Sequence, residues 1–255
     1  MGIGRSLDIS ASILASQLRG WRGAQAFRPA RKQPGKMLEL YDIEASPYCR
    51  LVREALTELD LDVLIRPCPA RGLRFRPQCE ALGGKQQFPF LVDPNADKSM
   101  YESADIIDYL RKTYDGRVRV DQGLRRKLAI GGGYAATLVR RMRGLFARPS
   151  TAPAQPLELF SFEASPFSRL VREVLCELEL PYILRNTGKG HWKDLGPPGV
   201  RDKWHKSAKD TSRNRKVLFE RTGAVQVPYL IDANTGASMY ESADIIRYLE
   251  KTYGG

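Results

Sequence analysis

The chain runs through one order of apolar and polar positions twice. Residues 38–43 alternate as Leu-Glu-Leu-Tyr-Asp-Ile, and 157–162 as Leu-Glu-Leu-Phe-Ser-Phe, a period of two that predicts a strand in each place. The period then changes to that of a helix. Ser46-Pro47 and Ser165-Pro166 supply an N-cap followed by a proline at the first helical position. Beyond them Leu51, Val52, Ala55, Leu56 and Leu59 recur at helical spacing, as do Leu170, Val171, Val174, Leu175 and Leu178. Arg50, Arg53, Glu54 and Glu58 are expected to point outward from the first of these helices. A second strand over Val63–Arg66, or Tyr182–Arg185, closes a right-handed β-α-β unit. Phe88-Pro89-Phe90-Leu91-Val92-Asp93 and Val227-Pro228-Tyr229-Leu230-Ile231-Asp232 open a third strand, where a leading proline has no ladder hydrogen bond to lose. A turn, a short strand around Met100-Tyr101 or Met239-Tyr240, and a helix capped by Ser103 or Ser242 follow. Each copy thus predicts β-α-β-α-β-β-α, an α/β module with a mixed four-stranded sheet.

Residues 38–66 match 157–185 at 17 of 29 positions without a gap, and 86–114 match 225–253 at 19 of 29. Shared composition does not produce identity of that density, so the chain is a tandem duplication. The predicted organisation is a basic, partly helical N-terminal arm (1–36), a first module (37–116), a basic linker (117–156) and a second module (157–255). The second copy carries a 20-residue insert rich in Gly, Lys and Pro near 188–212, which would cover its site or form a mobile loop. Leu124, Leu128, Tyr134, Leu138 and Met142 suggest a helix in the linker despite three consecutive glycines, and that helix could pack with the arm to bridge the modules. Leu7, Ile13, Leu14, Leu18 and Trp21 fit one face of an arm helix. The alternative for the arm is an organelle transit segment, since it bears Ser and Arg with a single acid.

Charge sharpens this division. The formal net charge is +12, yet the arm alone carries +6, the linker +8 and residues 185–221 +7, so the module bodies are acidic. Such segments give solubility and general attraction to anionic surfaces, or dock an acidic protein or an anionic membrane face; nucleic acid is the less favoured partner. Four irregularly spaced cysteines (Cys49, Cys68, Cys79, Cys176) make neither a disulfide framework nor a zinc site, and suit a reducing compartment: the cytoplasm, or an organelle such as a plastid. His191 and His205 stand without acidic or cysteine neighbours, so no metal is expected. No stretch approaches the ~20 apolar residues of a membrane span.

Ser46-Pro47-Tyr48-Cys49, Phe88-Pro89 and Tyr101-Glu102-Ser103-Ala104-Asp105-Ile106-Ile107 resemble the N-terminal, thioredoxin-like domain of glutathione S-transferases and glutaredoxins. Ser165-Pro166-Phe167-Ser168, Val227-Pro228 and Tyr240-Glu241-Ser242-Ala243-Asp244-Ile245-Ile246 repeat the pattern, and together the resemblance spans about three quarters of the chain. It implies glutathione as co-substrate and an unidentified electrophile. Ser103 or Ser242, with helix-terminal N–H groups, would take the γ-glutamyl carboxylate, and Glu102 or Glu241 would face its ammonium. Pro89 and Pro228 would be cis, leaving the backbone of Phe88 and Val227 to pair with the glutathione cysteine. Ser46 or Ser165 stands where the family keeps its reactive Ser or Cys, and a hydroxyl there would stabilise the thiolate.

From the residues alone, the readier role for Ser46 and Ser165 is that of ordinary helix caps; the resemblance favours glutathione contact. Cys49 is the remaining catalytic candidate, at the family's second, usually buried cysteine position; with serine ahead of it, dithiol exchange is disfavoured. The all-helical domain that completes ordinary transferases is absent, so an electrophile pocket would form between modules or between chains. Two readings follow: a Ser-type glutathione transferase, and a non-catalytic scaffold of the same fold that docks a partner.

Overall fold

The computed structural model describes residues 3–116, 123–195 and 210–255. Most of the insert (196–209, including His205) and residues 117–122 of the linker lie outside them. The elements, in chain order, are α1 (Ile3–Gln17), β1 (Leu38–Asp42), α2 (Pro47–Glu58), β2 (Val63–Pro67), α3 (Arg76–Gly83), β3 (Phe90–Asp93), β4 (Lys98–Met100), α4 (Ser103–Leu110) and α5 (Leu124–Val139). The second half follows with β5 (Leu157–Ser161), α6 (Pro166–Glu177), β6 (Tyr182–Asn186), α7 (Arg213–Thr222), β7 (Tyr229–Asp232), β8 (Ala237–Tyr240) and α8 (Ser242–Tyr253). Each module therefore has the expected order. Within each, β1 or β5 pairs parallel with the next strand and antiparallel with the third, as a β-α-β unit followed by a hairpin requires.

The two sheets are one. β2 and β6 pair antiparallel, giving the strand order β4-β3-β1-β2-β6-β5-β7-β8. Val63 lies opposite Leu184, Leu64 opposite Ile183 and Ile65 opposite Tyr182. Leu64 and Ile183 are the same position of the repeat, so a local two-fold axis passes between them. Each module alone would leave this strand as an open edge; the duplication closes both edges at once. A single apolar core runs along the sheet, with Leu40, Val52, Leu56, Ile65 and Ile106 of the first module and Leu159, Val171, Leu175, Leu184 and Ile245 of the second in one cluster. Alternate strand residues serve the other face, where Tyr41 and Phe90 pack with Phe75 and Cys79 around α3.

The arm and linker exchange places. α1 precedes the first module but docks on the second: Ser12 Oγ donates to Pro166 O (2.8 Å) and Ser16 Oγ to Ala164 O (2.9 Å). α5 precedes the second module but docks on the first, with Thr137 Oγ1 donating to Ala45 O (2.6 Å). Beyond the helices, Ala24–Ala26 pair with Lys189 and Leu145–Ala147 with Ala70, through matching backbone hydrogen bonds. The duplication thus extends beyond the modules. Residues 13–27 and 134–148 align without a gap, keeping Ala15/Ala136, Arg19/Arg140, Arg22/Arg143, Gly23/Gly144 and Ala26/Ala147.

One expectation is overturned. Arg50, Arg53 and Glu54 do not face water; all three are buried. They point away from their own module's core, but that side is covered by the other module and the crossing segments. Arg53, wholly buried, binds Asp42 (2.6 Å) and, across the local axis, Glu163 (2.9 Å); Arg172 binds Glu44 (3.1 Å) and Glu163 (3.0 Å). Arg19 and Arg140 fork onto Glu54 and Glu173 from the crossing segments. Burial alone would raise the Glu163 carboxyl, but Arg172, Arg53 and Arg50 outweigh it and hold it down to about 2. Part of the basic surplus of arm and linker is therefore spent inside the molecule, against acids of the module bodies.

Candidate functional site

The β1–α2 turn ends in Ser46, which has extended backbone angles and accepts the Cys49 N–H (3.4 Å), while Pro47 opens the helix. Ser165 does the same for α6 with the Ser168 N–H (3.3 Å). The two serines differ in access. Ser46 is half-buried, whereas Ser165 is 2% exposed, beneath α1. Over Ser46 lies α5, whose Tyr134 stands edge-on to Tyr48 with ring centroids 6.2 Å apart. Cys49 is fully buried, its Sγ accepting the Ile43 N–H (3.5 Å), and burial above all pushes its thiol up and out of the range where a thiolate forms. Cys49 is a core residue.

The Phe88-Pro89 and Val227-Pro228 bonds are both cis. In the β1–β3 register Tyr41 faces Phe90, which puts Pro89 at the same end of the sheet as the Ser46 turn. The β3–β4 hairpin brings Glu102 back to this end, where its carboxylate accepts the Gln87 amide (2.5 Å). Gln226 and Glu241 repeat the contact at 2.6 Å. Glu102 and Glu241 are exposed and sit at φ +64° and +65°, a region disfavoured for residues bearing a Cβ. Strain of this kind costs ~1–3 kcal/mol and persists only where the surroundings impose it. In both copies it directly precedes the serine that opens α4 or α8.

In the first copy that serine is the least satisfied group of the site. Ser103 is 2% exposed and its Oγ has no hydrogen-bond partner among the described residues. It lines a cavity of about 270 Å³ between α2 and α4, walled by Leu51, Ala55 and Ile107 and reached by Arg22 of the crossing arm. Ser242 lines the corresponding cavity of about 550 Å³ between α6 and α8, with Leu170, Val174 and Ile246, and Arg143 of the linker in the place of Arg22. The lining is charged as well as apolar: Glu54, Asp105, Asp108 and Arg111 join the first cavity, and Arg5, Asp8, Arg148, Glu173, Glu177 and Glu250 the second, so the helix-terminal hydroxyl and the crossing arginine are the groups there that suit a carboxylate.

The structure thus gathers Phe88, Pro89, Glu102 and Ser103 at one end of the first module, and Val227, Pro228, Glu241 and Ser242 at the equivalent end of the second. Ser46 joins them through Ile43, which packs in one cluster with Phe88; of the candidate residues Ser103 and Ser242 alone line the two cavities, and Ser46, Ser165, Phe88, Pro89, Glu102, Val227, Pro228 and Glu241 do not. Sequence reasoning missed Gln87 and Gln226, although both occupy the position before the X-Pro pair. It also missed Arg22 and Arg143, whose signal is the weaker repeat in arm and linker. Among the described residues no group of three or more His, Cys, Asp or Glu could hold a metal ion, and no helix is long and apolar enough to cross a membrane.

A family model described as the glutathione S-transferase N-terminal domain matches residues 40–118 and again 159–255. No curated protein matches the chain significantly. Among solved structures, a trimeric glutathione transferase of Leishmania shares 14% identity over 84% of this chain and 68% of its own, with a TM-score of 0.29. That superposition is too loose to bear on how the two modules are arranged.

Proposed function

The chain belongs to the glutathione S-transferase N-terminal-domain family, which it carries twice, and from that premise we propose that it binds reduced glutathione and transfers it to an electrophile. The observation that carries this reading is the unpartnered, buried Ser103 hydroxyl behind the strained Glu102. A γ-glutamyl carboxylate would accept hydrogen bonds from Ser103 Oγ and the first N–H groups of α4, and Glu102 would exchange its Gln87 partner for the ligand's ammonium. The Phe88 backbone would pair with the cysteinyl unit in strand fashion. This leaves the thiol near the Ser46 turn, where the hydroxyl donates to the thiolate and the helix dipole favours its charge. The proton leaves to solvent, and the sulfur lone pair forms the bond to the electrophilic carbon as that carbon's bond to an anionic leaving group breaks and carries its electron pair away. Tyr48 and Tyr134 offer an aromatic wall beside that point, so α5 takes the part of the helical domain that other transferases place there.

In the second copy Val227, Glu241 and Ser242 would hold the same ligand, but Ser165 lies under α1. Binding at both sites with turnover at the first is the arrangement that suits this burial. Calorimetric titration with glutathione tests it. Wild type is expected to bind in the micromolar-to-millimolar range, and Ser103→Ala and Ser242→Ala each to remove one part of the heat. No heat, and no thermal stabilisation at ~100-fold excess over a millimolar dissociation constant where ~2.7 kcal/mol is expected, would overturn the reading and leave a docking role for the fold.

A further inference from the structure

α1 and α5 are amphipathic in the inverted sense. The sides they turn to the modules are small and hydroxylic: Ser12, Ala15 and Ser16 on α1, and Gly133, Ala136 and Thr137 on α5. Their large apolar side chains face out. On α1 and the turn after it, Leu7, Leu14, Leu18 and Trp21 recur along one side of the helix, with Leu7 65% exposed. On α5 and its turn the same holds for Leu128, Tyr134, Leu138 and Met142, with Leu128 66% and Leu138 68% exposed. A helix whose only apolar cover were its own module would show the reverse pattern. The feature is also duplicated: Leu7 and Leu128 are equivalent repeat positions, as are Trp21 and Met142. Because α1 and α5 pack side by side, the two apolar stripes form one face.

We propose that this face docks on an anionic lipid bilayer, with α1 and α5 lying in the interface. Charge selects the occupant. The arm and linker carry +6 and +8 and contain one acid each, Asp8 and Asp121, although Arg19, Arg22, Arg140 and Arg148 are taken up by acids of the modules. Asp8 is neutralised by Arg143 (3.0 Å). Lys127 and Arg141 are exposed beside the leucines and methionine, and neither side chain has a hydrogen-bond or ion-pair partner among the described residues. A second copy of the chain would bring these cations against their own counterparts. Nucleic acid would satisfy the cations and leave five exposed leucines in water. A bilayer with anionic headgroups answers both: leucines and methionine enter the acyl boundary, Trp21 and Tyr134 sit at headgroup depth, and the cations meet phosphates. The face adjoins the Tyr48–Tyr134 pair above Ser46, so apolar molecules dissolved in the membrane would lie close to the site proposed for the thiol.

The test is co-sedimentation of the full chain with phosphatidylcholine vesicles, with and without phosphatidylglycerol, at low and high salt. Binding is expected only with the anionic lipid and is expected to weaken steeply with salt. At ~1 kcal/mol per basic residue near the surface, Lys127→Glu with Arg141→Glu should weaken it by about tenfold or more. Leu128→Ser with Leu138→Ser should weaken it comparably, with an unchanged thermal midpoint because both side chains are already in water. Failure to pellet at low salt, or pelleting unaffected by the leucine pair, overturns the proposal. So does a dimer in sedimentation equilibrium that the leucine pair dissolves, since a second copy would then cover the face. None of these readouts depends on glutathione, so this proposal and the proposed function fail separately.

Discussion

Asp60 sits at φ +53°, 4% exposed, with one carboxylate oxygen lacking any partner among the described residues. Burial raises its pKa to about 6, and nearby Arg213 only partly offsets this. The folded chain therefore holds that proton more tightly than the unfolded one, whose aspartates titrate near ~3.9. The contribution to stability is full below about pH 4 and is lost as pH rises through 6, amounting to about 3 kcal/mol at most. Asp60→Asn, which tolerates the left-handed backbone, should lose less stability than wild type between pH 4 and 6. Urea midpoints across that range check this, and parallel curves for the two proteins would contradict it. Asp93 and Asp232 behave oppositely. Burial would raise them, but Tyr114 and Tyr109, or Tyr248 and Tyr253, with an asparagine, outweigh it, so their contribution disappears only in acid. Legibility at this scale followed locality. The Glu-Ser and Ser-Pro elements are contiguous in sequence and could be recognised there. Asp60 meets Arg213 across the two modules, and Ser103 shares its cavity with Arg22 from the arm, pairings that no local pattern announces.

Among the elements, the crossing segments were the hardest to foresee. The module order was readable because strand and helix periods switch cleanly and each boundary carries a Pro or a cap. Arm and linker show only a weak helical period, and nothing in it says which module each would join. Two of their close passages fall at glycines with a left-handed backbone, Gly23 and Gly144, at φ +74° and +76°. A Cβ on Gly23 would lie 2.8 Å from Glu163 Cβ and 3.1 Å from the Glu54 backbone; on Gly144 it would lie 2.9 Å from Glu44 Cβ and 3.4 Å from the Glu173 backbone. Both glycines thus let a segment pass over the buried carboxylates that bind the central arginines. Gly23→Ala and Gly144→Ala should each cost about 2–4 kcal/mol, the backbone penalty plus overpacking. Gly20→Ala is the control. Its φ is also positive, but its Cβ would meet nothing, and its repeat counterpart Arg141 already holds φ +52°. Gly20→Ala should therefore cost ~1–2 kcal/mol at most. Equal losses for Gly20 and Gly23 in urea unfolding would mean that the close approach contributes nothing.

At the scale of the molecule, duplication has joined two modules in one eight-stranded sheet. The ties that cross the local axis include the β2–β6 ladder, the shared apolar cluster, and the arginines that reach the other module's glutamate. The third is the most sensitive. Arg53 lies among Asp42, Glu44 and Glu163, all essentially out of water, so its removal leaves three buried carboxylates with Arg172 as their principal counter-charge. Removing one partner of such a group typically costs ~3–5 kcal/mol, far more than the net worth of the pair, because the remaining charges stay desolvated. Arg53→Met keeps the volume and removes the charge. If the modules were independent, the loss would fall on the first, where Arg53 resides. If they form one unit, native-state hydrogen exchange should give the β1 and β5 amides the same opening free energy in wild type, and Arg53→Met should lower both by the same amount. A variant in which β1 is weakened while β5 keeps its protection would show the duplication to be two domains in contact. Equal loss would mean that neither module's site can be opened by unfolding without opening the other, which ties the two candidate glutathione sites to one stability.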